Sequence, residues 1–256
     1  MNSKTLSQPA FSVLNHYLNF TVGSASCSVP YFNNKTKLSR LALRVNVGKG
    51  SPQDISDEIQ SLIVKSHVAI DTLTTESLKK VLVDQNIGID CSGFAYHVLN
   101  AESAETKGVS LRKRLSFVNC RTLFDRVRCA LRPVENCDVV TFADAKNSSG
   151  VALTDVQPGD IITMLDNSAE GERDHILVIH QVDYHNSAPT KIYYSHAVAY
   201  PEDGVYGTGI KQGSIDITDA TKTIIVQSWT ENGKTGEANR IYLRAQKSRT
   251  ELRRLR

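Results

Sequence analysis

The chain predicts an α+β fold in which N-terminal helices pack on an antiparallel β-sheet. Three observations carry this. Apolar residues recur at helical spacing through residues 51–100, and β-type runs bounded by turn residues dominate after Asp138. The 256 residues, 40% hydrophobic and 22% charged, have the composition of a globular chain long enough to bury a full core.

Residues 1–50 mix turn formers with short apolar groups, and Pro30-Tyr31-Phe32-Asn33-Asn34 reads as a turn bearing two aromatics. Ser51 is placed to cap a helix that opens with Pro52, and Ile55, Ile59, Leu62 and Ile63 mark its inner face. A second helix is expected over Asp71 to Asp84, with Leu73, Leu78, Val81 and Leu82 inward. A third starts near Cys91 and runs to about Asn100, and a fourth is expected around Thr122 to Cys129. Val139, Val140 and Phe142 predict a short strand. Strands are then expected at Ile161 to Leu165, His175 to Tyr184, Lys191 to Tyr200, Thr223 to Trp229 and Arg240 to Arg244. This divides the chain into an N-terminal helical extension packed on the core (1–84), a core (85–245) and a basic tail (246–256).

Composition excludes several functions. No apolar run approaches the roughly 20 residues of a membrane-spanning helix. Met1 to Phe20 lacks the charged and apolar regions of a signal peptide, so the expected location is cytoplasmic unless a non-standard export route operates. The net charge is +3. In the tail, Lys247, Arg249, Arg253, Arg254 and Arg256 stand against Glu251, a net +4 that leaves the body at about −1. The body therefore offers no basic field for nucleic acid, and the tail reads as solvated. Five cysteines, an odd number without a Cys-x-x-Cys, argue against a disulfide framework and a structural zinc site. Cys120, Cys129 and Cys137 read as buried structural residues.

The chemistry concentrates at Ile89-Asp90-Cys91-Ser92-Gly93-Phe94. Asp90 is a helix-start residue, so Cys91 is expected in the first helical turn. Unpaired backbone N–H groups and the positive end of the helix dipole favour a thiolate there, as a nucleophilic cysteine requires. A buried cysteine with no chemistry is the alternative. A nucleophile needs a base and a group that orients the base. Of seven histidines, His16 and His67 have no partner pattern, and His185 reads as a turn residue. His97 lies on the far side of the cysteine helix. His175 opens a strand at a loop junction, His180 faces the opposite side of that strand, and His196 sits in the next strand.

The motif Asp90-Cys91-Ser92-Gly93 before an apolar helix resembles the NlpC-type cysteine peptidases, cell-wall amidases with a papain-like core. Val156-Gln157-Pro158-Gly159-Asp160-Ile161-Ile162 is similar to that family's Leu-x-Pro-Gly-Asp strand entry. Asp174-His175-Ile176-Leu177-Val178-Ile179 resembles its histidine strand, and Ser195-His196-Ala197 its polar third member. The resemblance covers roughly residues 85 to 200. Two features depart from it. The family's Tyr-x-Trp-Gly-Gly segment is replaced by Lys79-Lys80-Val81-Leu82-Val83-Asp84, with Tyr31 as the upstream candidate for its tyrosine and a plain surface turn as the alternative. Leu177 stands where the family often has glycine.

The resemblance implies Cys91 as nucleophile, His175 as base and His196 as the group that holds His175. Asp90, Ser92 and Tyr31 are the supporting candidates, and the backbone N–H of Cys91 is an oxyanion donor. It implies no metal or cofactor, and a peptide or peptidoglycan-fragment substrate cut at an amide. An acyltransferase or intracellular peptidase on the same fold, and a non-catalytic binding module, are the alternatives. A zinc hydrolase using His175, His180 and His196 ranks last, because His180 faces away.

Strand register decides whether the two histidines meet. A turn at His185-Asn186 sets His175 directly opposite His196, roughly 5 Å apart. A loop over His185 to Thr190 sets His196 opposite Ile179, about 13 Å along the strand from His175. Asparagine favours the tight turn, whereas Pro189 argues against it.

Overall fold

The computed structural model describes residues 2–33, 44–66, 72–117, 120, 122–166 and 174–256. Among them the helices are α1 (Gln8–Leu18), α2 (Pro52–Ser66), α3 (Thr75–Asp84), α4 (Cys91–Lys107), α5 (Leu111–Arg114), α6 (Leu123–Leu131), α7 (Val139–Ala143) and α8 (Arg240–Lys247). The strands are β1 (Asn2–Thr5), β2 (Phe20–Val22), β3 (Ala25–Cys27), β4 (Ser148–Gly150), β5 (Ile161–Leu165), β6 (His175–His185), β7 (Ala188–Val198), β8 (Gly209–Asp216), β9 (Ser228–Glu231), β10 (Lys234–Thr235) and β11 (Arg249–Leu255). The fold is α+β, as the sequence predicts.

One antiparallel sheet runs in the order β10-β9-β8-β7-β6-β5-β11-β4. β5 pairs with β6 over Val178 to His175, and β1 pairs with β6 farther along, over Gln181 to Tyr184. The sheet is covered on both faces, and the two-residue period of its strands sorts side chains between two cores. Ile161, Ile176, Val178 and Ala197 face α1 and α4, joining Leu14, Tyr17 and Phe94. Ile162, Met164, Leu177, Ile179, Tyr194 and Trp229 face the other way, joining Ile241 and Ala245 of α8. α4 packs on α1, β6 and β7, which brings the cysteine helix onto the two histidine strands.

Local signals act as expected at several starts. Ser51 and Asp54 bond each other's backbone N–H at 2.8 and 3.1 Å ahead of α2. Thr74 forms a capping box with Ser77, so the second helix starts at Thr75. Asp71, its expected start, and His67 lie outside the described residues. α4 runs beyond Asn100 to Lys107, where Gly108 closes it at φ 65°.

Five expectations are overturned. Val139, Val140 and Phe142 belong to a short helix, not a strand, because Asp138 caps it by accepting from the Thr141 N–H at 2.8 Å. Residues 240–244 are helical as well: Asn239 caps α8, and Ile241 and Ala245 bury one helical face. The stretch 223–229 is a 3-10 turn (Ile224–Val226) followed by β9. Apolar runs this short fit a helix or a strand equally well, and the cap decides. The basic tail is not solvated but forms β11, inserted between β5 and β4. Its Arg254 is held by Asp160 through bonds of 2.7 and 2.8 Å, while Asp160 also accepts from the Gln157 N–H. The Pro-Gly-Asp motif thus anchors the chain end. Cys120 and Cys129, expected as separate buried thiols, form a disulfide with Cα atoms 6.5 Å apart.

Candidate active site

Asp90 positions the cysteine from below. Its extended backbone precedes α4, and its Oδ1 accepts the Gly93 N–H at 2.6 Å. Gly93 is required because a Cβ there would lie 2.6 Å from the carbonyl oxygen of Gly48, whose loop bonds the Asp90 N–H at 2.9 Å. Lys49 enters from that loop. Its buried ammonium donates to Asp90 Oδ1 at 2.9 Å, Ser92 Oγ at 2.6 Å and the Cys137 carbonyl at 3.1 Å. Burial alone would lower the Lys49 pKa, but Asp90 outweighs it and the lysine stays charged.

Tyr31 is brought to the same place. It forms a parallel bridge with Ile89, and the Ile89 N–H bonds the Pro30 carbonyl at 3.0 Å, so the upstream turn lies beside the segment that leads into Cys91. Tyr31 also lines a cavity of about 450 Å³ with Pro30, Phe32, Ile87 and Val205.

Cys91 is 6% exposed and His175 2%. α4 packs on β6, and the backbone amide of Ile176, the residue next to His175, pulls the Cys91 thiol pKa down, so Cys91 lies against the start of β6. Burial pushes the thiol up to about 11, and Asp90 adds to it; Lys49, Arg244 and the Ile176 amide pull the other way without winning. Burial, with Arg244 and His196 nearby, holds the His175 imidazole well below its ordinary value. The thiolate expected from the helix dipole is therefore outweighed by desolvation, and the resting pair is thiol and neutral imidazole.

Behind His175 lies a fully buried relay. His175 Nε2 is 2.7 Å from His196 Nδ1, and His196 Nε2 is 2.7 Å from Glu231 Oε2. Tyr200 donates its hydroxyl to Glu231 Oε1 at 2.7 Å. Burial would raise the Glu231 pKa, but His196 and Tyr200 hold it below the usual value, so the carboxylate is ionised. An ionised carboxylate only accepts. In the neutral tautomer that this acceptor selects, His196 donates from Nε2 to Glu231 and accepts at Nδ1 from His175 Nε2. His175 is left with its lone pair on Nδ1.

Neither of the two registers considered is adopted. The turn is Asn186-Ser187, with φ of 49° and 67°, and His185 pairs with Ala188. Asp183 pairs with Lys191 and Tyr184 with Pro189, which leaves Thr190 as an extra residue on β7. Ile179 pairs with Tyr194 and Gln181 with Tyr193, which leaves His180 extra on β6. The two bulges cancel, and Val178 faces Ser195. His196 is thus diagonal to His175 on one face, and their rings meet with centroids 4.9 Å apart.

The other histidines go elsewhere. His180 is on the opposite face, where its Nδ1 meets Ser195 Oγ at 3.0 Å, so His175, His180 and His196 do not converge. His97 bonds the Lys49 carbonyl at 3.0 Å on the far side of α4. His16 and His185 are exposed.

Glu231, Tyr200, Lys49 and Arg244 are site residues that the sequence reading missed. Gly48, next to Lys49, was the available signal for a backbone pressed against Asp90. Compared with family models, curated proteins and solved structures, the chain matches none.

Proposed function

We propose that the protein is a cysteine-dependent amidase or peptidase of papain-like design, acting on an amide bond in a peptide such as a peptidoglycan stem. The observation that carries this is the buried relay from Glu231 through His196 to His175, the residue that precedes Ile176, whose amide acts on Cys91 at the start of α4. Glu231 selects the tautomer in which His175 presents Nδ1 as a base, and it stabilises the imidazolium that forms. Because the resting thiol is protonated, His175 takes the Cys91 proton as sulfur bonds to the carbonyl carbon. The Cys91 backbone N–H, in the first turn of α4, is the oxyanion donor in this reading. The C–N bond then breaks as His175 returns the proton to the leaving amine. Water, deprotonated by His175, hydrolyses the thioester and restores the thiol. Asp90, Ser92 and Lys49 keep the helix start in place, and Tyr31 lies beside Ile89, two residues before Cys91.

The test is incubation of wild type and Cys91→Ala with muropeptides, following released amine by mass spectrometry. Release by wild type alone is expected; release that survives the substitution overturns the mechanism. Trapping an acyl group on Cys91 in the presence of a competing amine separates an acyltransferase from a hydrolase.

The burial of Cys91 favours one second reading, a non-catalytic module that keeps the fold. It predicts no labelling of Cys91 by iodoacetamide at neutral pH, and binding behaviour that tolerates His175→Ala.

A further inference from the structure

Helix α6 is built unlike the rest of the molecule. Among its residues only Cys129 is buried, and Cys129 is tied to Cys120. A helix this short is marginal on its own. The disulfide and a capping box between Thr122 and Asp125 hold it against the surface. In return it exposes four large apolar side chains: Leu123 at 77%, Phe124 at 90%, Val127 at 58% and Leu131 at 70%.

Their placement is ordered. At about 100° per residue, these four fall within roughly 100° of arc. Cys129 lies roughly opposite the centre of that arc, so the apolar stripe points directly away from the body. Arg126 and Arg128, both exposed, fall on either side of the stripe at roughly 90–110° from its centre. The surrounding sequence, Leu111 to Arg132, carries seven Lys and Arg against Asp125 alone.

A second copy of this helix would bring arginines against arginines and gains nothing from them. The occupant must supply both an apolar phase for Phe124 and Leu131 and negative charge within reach of the flanking arginines. An anionic lipid surface supplies both: acyl chains receive the stripe, and phosphates lie at the level of the guanidinium groups. We propose that α6 is a disulfide-pinned interfacial helix that docks the protein on anionic bilayers. This is independent of the proposed amidase chemistry.

The test is co-sedimentation of the purified, oxidised protein with phosphatidylglycerol-rich vesicles and with pure phosphatidylcholine vesicles. Binding to the first and not the second is expected, weakening as salt is raised. The double variant Phe124→Ser/Leu131→Ser should lose about tenfold or more in partitioning. Arg126→Gln and Arg128→Gln should each lose about fivefold on anionic vesicles only. All four positions are exposed, so thermal unfolding should be unchanged and loss of fold is not an explanation. Several results overturn the proposal. They are failure to bind either vesicle, equal binding to both, and a wild-type dimer in sedimentation velocity that Phe124→Ser dissociates. Binding to polyglutamate as tight as to vesicles and insensitive to the Phe124/Leu131 variant also overturns it, because charge alone would then account for the binding.

Discussion

Ser195 and His196 are neighbours on β7, yet each completes a histidine network on a different face of the sheet. On the α8 side, His175, His196, Glu231 and Tyr200 form a chain that ends in a carboxylate. On the α1 side, Gln212 donates to Ser195 Oγ at 3.0 Å and Ser195 meets His180 Nδ1, so that chain ends in a neutral amide. Both pair a buried residue of β6 with a buried residue of β7. The difference lies in the terminal group. An ionised carboxylate stabilises an imidazolium; an amide does not, and burial lowers the His180 pKa to about 4. The first network is fit to carry a proton, and the second is fit to hold two strands together around a bulge.

The largest expected effect comes from removing that terminal charge. Glu231→Gln keeps the shape but lets the amide favour the wrong tautomer of His196. The proposed amidase should lose about 10³-fold or more in kcat with a smaller change in KM. Unchanged kcat would place the two networks on an equal, structural footing.

The second effect is a pH dependence of stability that belongs to the other face. The unfolded His180 imidazole titrates near 6.5, and in the folded protein near 4. Between those values the unfolded chain binds more protons, so stability falls as pH falls from about 6.5 to about 4, by about 3 kcal/mol from this group. His175, lowered in the same direction, adds to the slope. In His180→Asn the amide oxygen can still accept from Ser195, so part of the slope should disappear. Urea unfolding at several pH values measures it, and an unaltered slope would show that His180 is not its source.

Smaller effects sharpen the contrast. Tyr200→Phe removes one charge-assisted hydrogen bond from Glu231 and should lower kcat about tenfold. Gln212→Ala removes a neutral bond and should cost about 1 kcal/mol in unfolding free energy with kcat unchanged. A fall in kcat for Gln212→Ala would mean that the two faces are coupled through β7.

Much of the site follows from short-range pattern. Asp90 as N-cap, Cys91 in the first turn, and His175 and His196 on one strand face all depend on residues close in sequence, whose spacing sets their direction. The elements misread were those where the local pattern is silent. Val139 to Phe142 and Arg240 to Arg244 are short enough to suit either helix or strand until Asp138 and Asn239 cap them. The charged tail becomes β11 because Asp160, far upstream, fixes Arg254.

The sequence by itself determined the α+β class, the cysteine helix and the pair of histidine strands, because each rests on a period of two or of about 3.6 residues. Tertiary structure alone decided the rest. It set the register through two cancelling bulges at Thr190 and His180, which no turn rule predicts. It chose Glu231 as the end of the relay and Lys49 as the partner of Asp90, and it paired Cys120 with Cys129. It also reversed the expected charge state of Cys91, because desolvation depends on every residue packed around the sulfur, whereas a helix start is visible in four letters.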